Sequence, residues 1–228
     1  MSQRILIGVA WPYANGSLHM GHIAGCYLSA DIFARFHRMN GNQVLMVSGS
    51  DQHGTPITIR AEQEHVSPED VVSKYHKEFL SSWEKMGISF DLFTTTGTEN
   101  HRQTVHEIFT TLLDKNYIYT NTVPLPYCHT CKRSIPDRYL KGTCPNCGNL
   151  DARGDQCDNC GIPMNPEDLI DIKCRISGDK PEIRNSEHFF LRLCAFLKPL
   201  LECVNKQSHW RPNVLNFTRR YIEDGLID

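Results

Sequence analysis

Two histidines three residues apart, His19 and His22, end the stretch WPYANGSLHMGH (residues 11–22), with Gly21 between them. Side chains three apart on an opening helical turn share a face. The two imidazoles can therefore donate hydrogen bonds together to phosphate oxygens as charge develops in a phosphoryl or nucleotidyl transfer. Gly21 removes a side chain where a flat ring or a backbone would approach closely. Taken alone, such a pair is more often a pair of ordinary surface or capping histidines. Downstream, VSGSDQHGTPI (residues 47–57) places the Asp51 carboxylate just past an apolar run. There it can pair with an α-amino group or act as a cap or turn residue, since SDQHG is also good turn chemistry. His53 shares that ambiguity. Trp11 and Tyr13 read on their own as ordinary core aromatics.

The second chemical signal is sulfur. Ten cysteines occur, and six of them form three Cys-x-x-Cys pairs inside one short segment. Cys144/Cys147 and Cys157/Cys160 have the spacing of a closed, four-thiolate structural zinc site with no open position for a catalytic water. Disulfides are the alternative, and clustering of this kind favours metal binding in a reducing compartment, hence the cytoplasm. Cys128/Cys131 is a third half-site. Its candidate partner is CRIS (residues 174–177), which supplies Cys174 but has Ser177 where a fourth cysteine would stand. A three-thiolate site completed by water or His129, or a reduced pair without metal, are the readings open for it. Cys26, Cys194 and Cys203 fall in helical patterns and are expected to be buried packing residues.

These groups need elements to hold them. RILIGVA (residues 4–10) reads as a buried strand, residues 21–39 as a helix carrying Ile23, Tyr27, Leu28, Ile32 and Phe36, and QVLMVS (residues 43–48) as a second strand. That is a βαβ unit, whose first turn lies at the carboxyl end of the sheet, where ligands bind. Ser67, Pro68 and Asp70 open a helix bearing Val71, Tyr75, Phe79 and Met86 that stops at Gly87. A third strand near residues 90–94 and a helix over 100–115 continue the alternation of an α/β fold with a parallel sheet. From about Thr120 to Asn185, prolines, glycines and cysteines replace periodicity, as in a small metal-held lobe. EHFFLRL (residues 187–193) reads as a strand, and two helical stretches end near Leu226.

Length and composition fit a globular protein with a sizeable core. The formal net charge of −2 gives no basic run for coating nucleic acid or a membrane surface. No apolar run approaches a membrane span, and no signal-peptide pattern is present.

PYANGSLHMGH resembles the ATP-binding signature of the class I aminoacyl-tRNA synthetases. VSGSDQHGTPI resembles a second block of their methionine-specific members, and YLKGTCPNCG and RNSEHFFLRL match family wording further on. Isoleucine, leucine and valine members share the first block but carry a much larger insertion with hydrolytic editing. The resemblance implies a Rossmann-like catalytic half over residues 1–119, a zinc-binding knuckle insertion over 120–185, and a return segment over 186–228. It implies that His19 and His22 contact ATP phosphates with Gly21 against the adenine. Ala10, Trp11 and Tyr13 would line the methionine pocket, Asp51 would hold the substrate ammonium, and the partners would be methionine, ATP-Mg and tRNA(Met). Zinc would occupy the first cysteine site, and in some members a second. The family's KMSKS loop and anticodon-binding domain do not occur in these residues. The chain is therefore expected to be an N-terminal portion of a methionine–tRNA ligase, inactive alone. Two rivals stand beside this reading: a non-catalytic zinc-knuckle module that grips tRNA or a protein, and another class I synthetase.

Overall fold

The computed structural model describes residues 2–226 and 228, which form two compact units, Met1–Val105 and His106–Asp228. The first unit is the expected α/β body. Its sheet holds β1 (Arg4–Gly8), β2 (Gln43–Ser50) and β3 (Leu92–Thr95) in the order β1-β2-β3, all parallel. A continuous helical stretch joins β1 to β2. It comprises α1 (Met20–His22), a π-helical turn (Ile23–Tyr27) and α2 (Leu28–Met39). Then come α3 (Thr55–Glu64), α4 (Pro68–Met86) and, after β3, α5 (Glu99–Asp114).

The apolar core gathers Val9, Ala14, Ile23, Tyr27, Met46, Ile57, Val71, Tyr75, Phe79 and Trp83 on one face of the sheet. Helix α4 begins as its sequence predicts. Ser67 and Asp70 form a reciprocal capping box, Pro68 takes the first turn, and Gly87 closes the helix with φ +64°. Its buried stripe runs Val71, Tyr75, Phe79, Trp83, and the expected Met86 is exposed. Strict i, i+4 spacing carries the stripe to the indole one turn earlier.

Helix α2 departs further from expectation. Ile32 and Phe36, read as core residues, are 59% and 56% exposed, and Asp31 is buried with Ala34 instead. The Asp31 carboxylate accepts the Ser89 amide at 2.9 Å, the Ser89 hydroxyl at 3.1 Å and the Arg35 guanidinium at 2.5 Å. Arg35 also donates to the Gly87 carbonyl. This buried acid ties α2 to the turn after α4. Burial alone would push its carboxyl up. The Ser89 amide and Arg35 outweigh that and hold it below the usual range. A lowered folded value means that the bond stabilises fully above the unfolded value, near about 4, and is lost as pH falls through the lowered one. Asp31→Asn is therefore expected to cost roughly 1–3 kcal/mol at pH 7 and to flatten the acid limb of the urea midpoint against pH.

The other sheet face is bare within the described residues: the register partners Leu6 and Leu45 are 71% and 51% exposed. Parallel sheets are ordinarily covered on both faces.

The second unit contains two three-stranded antiparallel sheets. One has the order β5-β4-β9, from β4 (Ile118–Cys128), β5 (Arg133–Ser134) and β9 (Glu182–Leu191). The other has the order β7-β6-β8, from β6 (Leu140–Thr143), β7 (Ala152–Arg153) and β8 (Ile170–Cys174). Helices α6 (Leu197–Asn205) and α7 (Pro212–Glu223) follow. Cys194 and Cys203, expected to be buried, are exposed, and Cys26 is half-buried. Helix α6, which carries Cys203, turns its Val204 inward instead. Among the described residues, no helix is long and apolar enough to cross a membrane.

Candidate functional site

Beyond β1 the chain stays in parallel pairing with the end of β2. Val9 donates to the Val47 carbonyl at 3.0 Å, Asp51 donates to Pro12 at 2.8 Å, and Ala14 donates to Asp51 at 2.9 Å. Tyr13 and Asp51 are bridge partners. Two blocks nearly forty positions apart therefore meet at the carboxyl edge of the sheet, where open α/β folds bind ligands. A cleft of about 400 Å³ opens there, lined by Ala10, Trp11, Tyr13, Leu18, His22 and Tyr27 among others. Trp11 and Tyr13 are 37% and 48% exposed, which makes them cleft walls and not core aromatics. Burial, with Cys26 adding, pushes the Tyr27 hydroxyl up to about 12, so it remains a neutral wall group.

Asp51 is half-buried beside this cleft. Its Oδ1 accepts the His53 amide at 3.1 Å and the Thr96 hydroxyl at 3.5 Å. Thr96 also takes the Gln52 amide at 2.9 Å. The turn role is thus present in a carboxylate that stays only partly buried.

The histidines cap each other. His19 is the N-cap of α1, and its Nδ1 accepts the Gly21 and His22 amides at 3.1 and 3.3 Å. His22 Nδ1 accepts the His19 amide at 3.4 Å. A neutral imidazole that accepts through Nδ1 carries its proton on Nε2. The two rings stack with centroids 3.7 Å apart, and in the neutral form each carries its proton on the nitrogen that the caps do not use. Capping therefore uses one nitrogen of each ring. A Cβ on Gly21 would fall 2.9 Å from His19 Cε1, so the missing side chain makes room for the capping ring itself.

Sequence reasoning passed over Gly49. A Cβ there would lie 2.6 Å from the Trp11 indole and 2.6 Å from the Thr94 carbonyl. Glycine lets the indole lie on the end of β2, and the only sequence hint is a glycine inside an apolar strand.

In the second unit, the sulfurs of Cys144, Cys147, Cys157 and Cys160 lie within 4.8 Å of one another, as do those of Cys128, Cys131 and Cys174, and each group could hold a metal ion. Cys144–Cys160 and Cys147–Cys157 are 3.8 and 3.6 Å apart. Three asparagine amides, also not foreseen, face the first group: Asn146 toward Cys160, Asn149 toward Cys157 and Asn159 toward Cys147, at 3.5–3.6 Å. The Cys160 backbone amide, helped by Asn149, brings the Cys157 thiol down to about 6, so it is ready as a thiolate.

A cleft at the carboxyl edge of the sheet, a histidine-capped helix start and a cysteine lobe thus stand in one chain. The family described as tRNA synthetases class I (M) matches residues 5–228, and the chain belongs to it. Methionine–tRNA ligase of Dehalococcoides mccartyi strain CBDB1 is 58% identical over 228 residues, all of this chain and 41% of the relative. That of Thermomicrobium roseum is 56% identical over 226 residues, 99% of this chain and 39% of the relative. The chain thus spans about two-fifths of the curated relatives it matches. The Mycobacterium tuberculosis methionyl-tRNA synthetase in complex with methionyl-adenylate shares the fold, with a TM-score of 0.71 at 20% identity, covering 99% of this chain and 40% of that one.

Proposed function

We propose that this chain carries the amino-acid and phosphate side of a methionine–tRNA ligase. The site would activate methionine with ATP-Mg to methionyl-adenylate, for transfer to tRNA(Met). The observation that carries the reading is the stacked histidine pair, one member of which lines the cleft, with both Nδ1 atoms engaged in capping. The methionine carboxylate attacks the α-phosphorus, a P–O bond forms, and pyrophosphate leaves with the electron pair of the bond that breaks. His19 and His22 donate to the phosphate oxygens as charge builds, with Gly21 against the adenine. Trp11, Tyr13 and Ala10 enclose the thioether side chain, and the Asp51 carboxylate takes the ammonium.

Zinc fits the four-cysteine group. Sulfurs about 2.3 Å from a tetrahedral centre lie about 3.8 Å apart, and the observed separations are 3.6 and 3.8 Å. Cys144, Cys147, Cys157 and Cys160 would hold it. Zinc supplies a structural cross-link there and no reaction step.

The test is amino-acid-dependent ATP–pyrophosphate exchange by the full-length polypeptide that contains this chain. Exchange is expected with methionine alone among the standard amino acids. Asp51→Ala is expected to raise the KM for methionine about thirtyfold or more, the loss typical when one partner of an enclosed charge pair is removed. An unchanged KM would return Asp51 to its turn. Exchange driven by another amino acid would overturn the methionine assignment.

A further inference from the structure

The second unit repeats one local structure three times. The amide four residues past a cysteine returns to that cysteine's carbonyl: Gly148 to Cys144 at 3.0 Å, Gly161 to Cys157 at 2.8 Å, and Gly178 to Cys174 at 2.8 Å. All three glycines are left-handed, with φ of +73°, +72° and +81°. A non-glycine residue is disfavoured at such a position. In the first two turns the residue before the glycine is the second metal-facing cysteine, Cys147 or Cys160. In the third it is Ser177.

Ser177 behaves as those cysteines do. Its Oγ accepts the Asp179 amide, two residues on, at 3.2 Å. Cys147 accepts the amide of Asn149, also two residues on. Ser177 Oγ lies 3.2 Å from Cys128 Sγ, and Cys131 Sγ lies 3.8 Å from Cys174 Sγ, so four donor atoms close one cluster. The other candidate for the fourth place, His129, is engaged elsewhere: its Nε2 is 2.6 Å from Glu182 Oε2.

We propose that Ser177 stands at the fourth corner of a second zinc site built from Cys128, Cys131 and Cys174, and that this corner makes the second zinc the exchangeable one. The proposal rests on reading the four-cysteine group as a zinc site. A thiol gives up its proton to become a soft anionic ligand, whereas an alkyl hydroxyl remains a hard, neutral one. The second site therefore offers three thiolate charges where the first offers four. Its oxygen corner is the place at which water or a chelator enters. Its two arms are also clasped without metal, because the Thr130 hydroxyl donates to the Asp179 carboxylate. Release of this ion leaves the turn standing, so exchange needs no unfolding.

The experiment uses the full-length polypeptide. Native mass spectrometry is expected to find two zinc ions per chain. Release to 4-(2-pyridylazo)resorcinol should be biphasic, one equivalent leaving at least about a hundredfold faster, since even outer-shell changes at metal sites cost 10–100-fold. Ser177→Cys is expected to merge the fast phase into the slow one. In cobalt-loaded protein the same change should strengthen the thiolate-to-cobalt charge-transfer band, while the milder Ser177→Ala keeps the fast phase. One zinc per chain, with Cys128, Cys131 and Cys174 open to alkylation, would overturn the proposal and leave the four-cysteine site intact. So would two ions leaving at one rate in both the parent and Ser177→Cys. Protein that binds no zinc at all would instead overturn the underlying reading.

Discussion

Replacement of His19 or His22 by alanine in the full-length polypeptide is expected to lower methionine-dependent pyrophosphate exchange by about 10²–10³, corresponding to roughly 2.7–4 kcal/mol of barrier. The loss should fall on kcat more than on the KM for ATP, because donors aimed at developing charge act mainly in the transition state. The double variant should lose less than the product of the singles. The rings stack at 3.7 Å and each accepts the other's helix-start amide, so removing one already displaces its partner. His19→Asn separates the two duties. Asparagine caps helices well but offers no Nε2 donor, so the helix start should persist in hydrogen exchange while the rate still falls. Retention of parent activity by His19→Asn would show that capping is all the first histidine does.

The other large effect belongs to the cysteine lobe. Structural zinc supplies about 10–16 kcal/mol of apparent folding free energy in small knuckles, comparable with the whole stability of a typical domain. Strands β6, β7 and β8 have only short ladders, and β7 is two residues long. Cys157→Ala is therefore expected to abolish hydrogen-exchange protection in this sheet. The β1-β2-β3 sheet, whose core contains no zinc ligand, should keep its protection. Equal loss in both sheets, or in neither, would count against a structural zinc at this position.

What could be read in advance was the chemistry with strict spacing. The histidine turn, the capping box at Ser67 and Asp70, and the cysteine pairs each rely on contacts within four residues, which the chain order itself supplies. Tertiary choices were hidden. Helix α3 is assigned no element from sequence, because its opening TPITI is rich in β-branched residues and Gly54 before it offers no capping side chain. The long pairing of β4 with β9 passes through Pro124 and Pro126, residues that ordinarily argue against a strand, so the segment looked featureless. Helix α2 offered two plausible buried faces, and the one with an aspartate won because Ser89 and Arg35 satisfy it. The contact of Gly49 with Trp11 joins residues thirty-eight positions apart, and no local pattern announces it.

The π-helical turn at Ile23–Tyr27 has a further consequence, one of counting. A π turn holds one residue more than the α-helical turn it replaces. The wide turn absorbs that surplus residue, so the histidines and α2 keep nearly the mutual facing of an uninterrupted α-helix one residue shorter. Deleting one residue within Ile23–Tyr27 is expected to close the turn to α geometry and leave the histidines' aim almost unchanged. A deletion in α2 has no such surplus to give up, and would swing every side chain beyond it by about 100°. This short stretch is therefore the place in the helical run where a change of length costs least.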